Sequence, residues 1–590
     1  MQDANGNYYG LANVDVKQNA VINVHEDAKD TSYQDKDYGN LSASALAALS
    51  NGKITLDKAQ GIYGNITADI DTDIDETQAA EMPAGTIDLT TAQGGEVKGN
   101  ISANRGGTAR ITLKNGTWEG RGTDYQDTGT AGTLDLTMED GSVWHMKGDS
   151  WLTSLSNTSS LVDMKADDSW QTLHIGTFQG QDGTFLMKTD LDSQQDGDKV
   201  YIDQAEEGSR GQVQVYDASF LKGKEVTGAR NLLLITDASK NAVFTGRSLD
   251  KGGLWDVTPT IQRGDTVKDA QGNSVGTPEE WYLTKVEKKV NRDTVPLVRA
   301  ADIEYGLYRD SLDTLRQRMG DLRFLKKKDE AAGLWARMRN GEFSGPDSLN
   351  ARYHNFRLGY DEAVNPKSVY GVLAERGIAS PAYAYGKGKD HTLAGALYGT
   401  WFGDNGSYTD VVARYNRDDA HVSTYGGYPD RADWRSHDLS ASVEYGRTIP
   451  VSDKGYFVEP QTQFQVGHLG SYSYTTLRGK KVYAGGYDSA VGRIGFAAGR
   501  RGGEAGHPYD WYVKASLLHE FGGDRALHLA APDGETLDER LDHQGTWYTL
   551  GLGGSLRTGN RTYLYGDMER SFGGSLQKKW QWNIRMNWQF

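Results

Sequence analysis

A few short stretches of this 590-residue chain hold side chains that could do chemistry. Gly148-Asp149-Ser150 resembles the turn that presents a nucleophilic serine in serine proteases. Such a serine needs a histidine base and a carboxylate to orient it. The N-terminal half offers His25, His145 and His174, and none stands in a credible constellation with Ser150 and an aspartate. Trp151 follows where a second glycine would support the turn, so the triplet reads as the corner of a structural coil. The histidines read as exposed or coil-lining rather than metal-binding. In ADIDTDIDE, Asp69, Asp71, Asp73 and Asp75 share one face of a strand. Oxygen-rich ladders can hold calcium, but the glycine and glutamate of an EF-hand loop are missing, and a solvated acidic face fits better. Arg263-Gly264-Asp265 is an integrin-type tripeptide of very low specificity and reads as a turn. No catalytic residue, metal site or cofactor is expected. The absence of cysteine excludes thiol catalysis, disulfides and thiolate zinc. A formal charge of −16 argues against a general nucleic-acid binder.

The elements that would position such groups are better marked. The chain ends KKWQWNIRMNWQF, with Trp580, Trp582, Ile584, Met586, Trp588 and Phe590 alternating with Gln581, Asn583, Arg585, Asn587 and Gln589. A period of two is a strand with one apolar and one wet face. The same alternation sets Leu334, Ala336 and Met338 against Trp335, Arg337 and Arg339, and Leu439, Ala441, Val443 and Tyr445 against Asp438, Ser440, Ser442 and Glu444. In YFVEPQTQFQVG it sets Val458, Pro460, Phe464 and Val466 against Glu459, Gln461, Gln463 and Gln465. Residues 334–590 hold 21 of the 32 tyrosines and 8 of the 14 tryptophans, the enrichment that interfacial girdles need. No apolar run is long enough for a spanning helix, so a membrane reading requires a closed barrel. Breaks near 365, 388, 453, 506 and 560 leave about twelve segments, an even number that removes both sheet edges. The pattern predicts a twelve-stranded antiparallel barrel, lipid outside and a wet lumen inside. On this reading a charge at Ile584 is costly, whereas Asn583→Lys on the wet face is nearly silent.

Ahead of the barrel the period changes. Tyr305, Tyr308, Leu312, Leu315, Met319 and Leu322 are spaced for a helix. Over residues 298–323 it would be roughly 39 Å long at about 1.5 Å per residue, more than a hydrocarbon core of roughly 30 Å. It could thread a barrel from end to end. A dimeric coiled coil competes, but Arg316, Arg318 and Arg323 supply charge that a polar lumen could accept. Further upstream, the pairs Ile87/Leu89, Ile111/Leu113 and Leu134/Leu136 recur in steps of 24 and 23 residues, each followed by turn-like glycine. This predicts coils of a β-solenoid, with a soluble sandwich as the alternative. Beyond residue 170 the register loosens into longer strands that would close the solenoid's end.

Together the Gly-rich solenoid, the lone helix with RMGDLR, GLWARMRNG, LYGTWFGDNGSYTD, YFVEPQTQFQVG and the terminal aromatic strand resemble the classical monomeric autotransporters of type V secretion. The segment WHMKGDSWLTSLSNTSSLVDMKADDSWQTLHIGTFQGQDGTFLMKTDLD resembles the last coils and autochaperone of pertactin-like passengers. The resemblance implies an all-β chain in four parts: a right-handed parallel β-helix passenger over 1–170, an autochaperone cap over 171–292, a linker with a pore-spanning α-helix over 293–325, and an outer-membrane barrel over 326–590. It implies a display device whose passenger is an adhesin or surface stalk. The alternative is the C-terminal part of a secreted enzyme whose catalytic domain lies upstream of residue 1. Implied partners are outer-membrane lipid, the barrel-assembly machinery, periplasmic chaperones and the host-cell surface, around a monomeric barrel. Phe590 and the alternating residues before it would be the assembly signal. Members that cut themselves inside the barrel carry Asn-Asn just ahead of RMGDLR; here Asp313 and Thr314 stand at that possible cleavage region, a departure from the pattern that argues against a cut by this route. Met1 is followed by QDANGNYYG, with neither basic nor apolar leader, so a signal peptide is expected upstream.

Overall fold

Alternating side chains and frequent glycine make strands of most of the described residues. The computed structural model describes residues 13–16, 20–23, 44–70, 83–165, 169–191, 196–217, 226–250, 252–320, 332–503, 507–559 and 561–589. Two units divide it: residues 1–221, 225–251 and 256–289 form one, and 222–224, 252–255 and 290–590 the other. His25, Asp71, Asp73, Asp75, Leu322, Arg323 and Phe590 lie outside the described residues.

The first unit is a parallel solenoid. Strand Thr86–Lys98 pairs in parallel with Lys53–Tyr63 on one side and Thr108–Lys114 on the other. The ladder continues through Thr133–Glu139 and Ser150–Thr158. Inward alternate residues fill the coil: Ile87, Leu89, Ile111, Leu113, Leu134 and Leu136 are all buried. Their register differs from the sequence steps. Leu89 pairs with Ile111, Ile111 with Leu136, and Leu136 with Leu155, so successive rungs lie 22, 25 and 19 residues apart rather than 24 and 23. A slip of two residues keeps every side chain on its face; turns of unequal length absorb the difference. Within the coil Trp118 stacks on Trp144 at 4.4 Å and 4°, and their ring nitrogens donate to Gly99 O and Gly120 O. Gly99, at φ 147°, has no room for a side chain, since a Cβ would meet Gly64 O at 2.2 Å. Parallel pairing runs on past residue 170, through Thr172–Asp190, to Val243–Gly246. Toward the end of the unit antiparallel pairing enters, briefly at Thr189–Asp190 against Asp196–Gly197 and at length at Val226–Asp237 against Glu280–Val290.

The second unit contains twelve long strands in one closed antiparallel ring. They are β1 (Ala332–Ser344), β2 (Asn350–Asn365), β3 (Ser368–Tyr383), β4 (Gly386–Phe402), β5 (Ser407–Thr424) and β6 (Arg431–Arg447). The other six are β7 (Tyr456–Leu469), β8 (Tyr487–Gly502), β9 (Tyr509–Glu520), β10 (Gly545–Arg557), β11 (Thr562–Gly573) and β12 (Gln577–Gln589). Each pairs with the next, and β12 closes on β1, from Gly333↔Gln589 to Ser344↔Gln577. Outward residues form an apolar band: Leu334, Met338, Leu397, Leu439, Ile494 and Ile584 are each more than half exposed. Residues on the other parity are buried. The loops β7–β8 and β9–β10 also form a four-stranded antiparallel sheet, Tyr472–Thr475, Lys481–Ala484, Asp524–Ala530 and Thr536–Asp542, that the sequence reading missed. Among the described residues no helix is long and apolar enough to cross a membrane.

The single helix expected over 298–323 is instead two: α1 (Val295–Asp310) and α2 (Leu315–Met319). Pro296 lies in the first turn of α1, where no backbone N–H is needed. Thr314 restarts the helix through a capping box, its Oγ1 accepting from Gln317 N at 3.2 Å and its N donating to Gln317 Oε1 at 3.1 Å. At about 1.5 Å per residue α1 spans roughly 24 Å, short of the full barrel.

Candidate functional site

The site is the filled lumen. Its inner wall is the polar parity of every barrel strand, and its centre is α1, the break at 311–314 and α2. Tyr305 and Tyr308 of α1 are buried. Tyr305 donates to Glu520 Oε2 at 3.0 Å and stacks on His543 at 4.1 Å. Tyr308 takes the space that Gly467 on β7 leaves open; a Cβ there would meet its ring at 2.6 Å. Arg309 lies 3.9 Å over the Trp547 ring and donates to Leu576 O. Glu304 pairs with Arg525 of the four-stranded sheet.

The helix breaks where the wall claims its carboxylates. Asp310 accepts from Arg339 at 2.9 Å, Tyr353 at 3.1 Å and Asn355 at 3.2 Å, and Arg339 also takes the Asp310 carbonyl, one of the carbonyls left open at a helix end. Three buried arginines, Arg337, Arg339 and Arg357, converge on Asp313. Arg337 also donates to Gln317 O at 2.7 Å. Asp313 and Thr314, which stand where self-cutting members carry Asn-Asn, form an ion-pair centre and a helix cap.

Beyond the break, each polar side chain of α2 reaches a different strand. Arg316 makes two 2.9 Å bonds to Glu459 on β7 and one of 3.2 Å to Asp510 on β9. Gln317 donates to Asp567 and Glu569 on β11. Arg318 pairs with Asp410 on β5 and lies 3.9 Å over the Tyr398 ring. Glu444 on β6 accepts from Leu315 N at 2.8 Å. Bidentate and charge-assisted bonds of this kind are the strong ones. Leu315 and Met319 pack on Val369, Tyr408 and Tyr563, whereas half-buried Leu312 packs with Val491, Leu518 and Trp547. The heptad-like stripe therefore divides between two sides of the lumen.

The final strand carries its even residues outward and its odd ones inward. Ile584 is 51% exposed and Trp588 45%, while Asn583, Arg585, Asn587 and Gln589 are buried. Trp580 and Met586 are exposed and Trp582 half-buried. Asn583 is not on a free wet surface: it accepts from Arg339 Nε at 2.7 Å and donates to Asp567 at 2.5 Å. A lysine there would stand beside Arg339, so the expectation of a silent Asn583→Lys is corrected. Sequence alone identified the inward face but not the roles of Glu459, Asp410, Asp510 and Arg357; the only signal was charge recurring on that face.

Among the candidates in the first unit, Ser150 is buried and holds a corner, donating to Gly148 O at 2.9 Å and accepting from Gly122 N at 3.2 Å. His145 pairs with Asp163 at 3.0 Å, which raises its pKa above the usual imidazole value. His174 is stacked between Trp151 and Tyr201, and burial lowers its pKa. Asp69 is not solvated but buried, paired with Arg105 at 2.9 Å. Arg263 and Asp265 bond each other in the turn at 2.7 and 2.9 Å. Among the described residues no cluster of three or more ligating side chains could hold a metal.

Residues 334–569 match the autotransporter β-domain family. The chain is 25% identical over 508 residues to the serine protease Pet autotransporter of Escherichia coli O44:H18, covering 82% of this chain and 35% of that protein. It is 29% identical over 293 residues to the pertactin autotransporter of Bordetella bronchiseptica, covering 47% and 31%. It is 24% identical over 603 residues to the probable autotransporter YcgV of Escherichia coli K12, covering 91% and 60%. The chain thus spans about a third of the length of Pet and of pertactin. The solved β-domain of the Bordetella autotransporter Brka aligns with a TM-score of 0.39 at 23% identity, over 44% of this chain and all of that one.

Proposed function

We propose, for a chain that is an autotransporter with its barrel in the outer membrane and its solenoid as the surface passenger, that the barrel supports export of that passenger and is then shut by residues 295–320. The buried bonds of α2 to strands six apart in the ring, Arg318 to Asp410 on β5 and Gln317 to Asp567 and Glu569 on β11, with the Arg316 ion pairs to β7 and β9 between them, carry this reading. A segment so bonded blocks the channel through which the chain would have passed. The passenger acts as an adhesin or surface stalk that meets host cells. The even face of β12, Trp580 to Phe590, serves as the signal for the barrel-assembly machinery, and periplasmic chaperones hold the chain before assembly. In functional terms the chain divides into a passenger to 170, a cap to 292, a linker to 325 and the barrel. Deleting 295–320 and recording conductance in planar bilayers tests the plug. Conductance should rise; equal conductance with and without the segment refutes it.

A second reading has its own support: Pet and EspP are serine protease autotransporters, and the chain covers 35% and 30% of them. On that reading the solenoid is the stalk of a secreted enzyme. Sequencing the gene upstream of Met1 distinguishes the two, since a protease domain there would replace the first reading.

A further inference from the structure

On the outer side of the first unit two columns of side chains cross three successive rungs. Asn65, Asn100 and Arg121 stand in one, and Thr67, Ser102 and Thr123 in the other, two residues further along each strand. Their chain neighbours Ile66 and Ile101 are fully buried, so strand alternation turns the polar set outward, with Thr123 itself covered. Tyr125, at φ 56°, walls one end of the groove that lies between these groups.

The amides have a fixed sense. Asn65 Oδ1 accepts from Asn100 N at 2.9 Å, and Asn100 Oδ1 accepts from Arg121 N at 3.0 Å. A backbone N–H can only donate, so the oxygen must face it and the Nδ2 group is left over. Among the described residues neither Nδ2 has a partner. Arg121 gives Nε to Asp149 O at 2.8 Å and lies 5.6 Å over the Trp151 ring, with its Nη groups likewise unpartnered among the described residues. The groove thus offers two amide donors and a guanidinium fork, repeating at the strand spacing of about 4.8 Å. Beyond Arg121 the stripe continues as stacked rings, Trp151 to His174 at 5.2 Å and His174 to Tyr201 at 5.0 Å, and Tyr201 is 38% exposed. Donors in excess suit a ligand rich in acceptors, and the guanidinium fork suits a carboxylate. A peptide would bring as many backbone donors as acceptors, whereas the groove offers donors in excess.

We propose that this stripe binds a carboxylate-bearing oligosaccharide laid along the solenoid axis, its acid group on Arg121, its hydroxyls on Asn65 and Asn100, and its next sugars along Trp151 and His174. The inference rests on the displayed-passenger reading only for its use to the cell; binding is measured on purified protein, so the two fail separately. Full-length protein in detergent micelles is titrated calorimetrically with oligogalacturonate, hyaluronan and oligosialic acid fragments, and with a neutral cello-oligosaccharide of matched length. At least one acidic fragment should bind, and the neutral one about tenfold more weakly or not at all. Arg121→Gln should weaken binding about tenfold, as should Asn65→Asp, which keeps the acceptor for Asn100 N but removes the donor. Glu207→Gln, exposed elsewhere on the unit, should leave it unchanged. Circular dichroism reports whether each variant folds. Binding by no acidic fragment, equal binding of the neutral one, or unaltered binding by folded groove variants would overturn the proposal.

Discussion

Replacing Asp313 with asparagine removes one charge from the centre of the lumen and keeps the shape. Three buried guanidiniums share that carboxylate, but they do not lose equally. Arg339 keeps Asp310, and Arg357 keeps Glu375. Among the described residues Arg337 keeps only the Gln317 carbonyl. One buried cation is therefore left uncompensated, and breaking such a pair costs about 3–5 kcal/mol, which is about a hundredfold or more in an equilibrium at about 1.4 kcal/mol per tenfold. The loss falls on the packed state of residues 310–318 rather than on the β-ladder. In planar bilayers Asp313→Asn should open far more often than the parent, while the barrel still shifts on heating in gels. Arg337→Gln alone should have a much smaller effect, because Arg339 and Arg357 still neutralise Asp313. Combining Arg337→Gln with Asp313→Asn should recover most of the closed state. Additive effects in the double variant, or an Asp313→Asn channel as quiet as the parent, would refute the reasoning.

Ile584→Arg puts a charge on the outer face of β12 at a cost of about 2–4 kcal/mol near mid-membrane. Cell fractionation should show less of it in the outer membrane and more degraded protein, with Ile584→Val unchanged. Ser150→Ala should leave any surface activity intact but lower the passenger's melting temperature, since the buried Gly122 N–H loses its acceptor at a cost of about 1–3 kcal/mol; lost hydrolysis in a folded protein would mark a nucleophile instead. The raised pKa of His145 stabilises the folded passenger fully below the unfolded value of 6.5 and fades as pH rises through the folded one. Half exposed, the pair contributes under about 1 kcal/mol. Histidine-labelled NMR should show His145 titrating above 6.5 and His174 below it, and the reverse order would contradict the described pairings.

The alternation of β12 was legible because a strand's faces depend only on local parity, so Trp580 to Trp588 point outward whatever their partners. Parity is also why the solenoid was visible while its register was not: Leu113 and Ile111 serve equally well as the partner of Leu89 until the turns are known. The break in the pore segment was hidden for a different reason. Leu312 and Leu315 continue the helical spacing, whereas the groups that interrupt it, Arg337, Arg339 and Arg357, lie 24 to 44 residues from Asp313. Charge on the inward face announced a polar lumen, but which acid meets which base is a property of the closed ring. The sheet over the β7–β8 and β9–β10 loops escaped notice because its strands at 472–475 and 481–484 are too short to show a period.

The β1–β12 seam has a consequence in time. Its hydrogen bonds join residues 333–344 to 577–589, so the ring cannot shut until residues 577–589 have been made. Every earlier ladder can zip locally, hairpin by hairpin, but this one must close a loop of more than two hundred residues at a real entropic cost. Residues 310–318 touch β1 and β2 next to the seam, as well as β5, β7 and β9 far from it. Held in place before the ends meet, they would act as a mandrel around which the open sheet curls, shortening the search of the last strand for the first. The residues that stop the pore would then also set the diameter to which it was built.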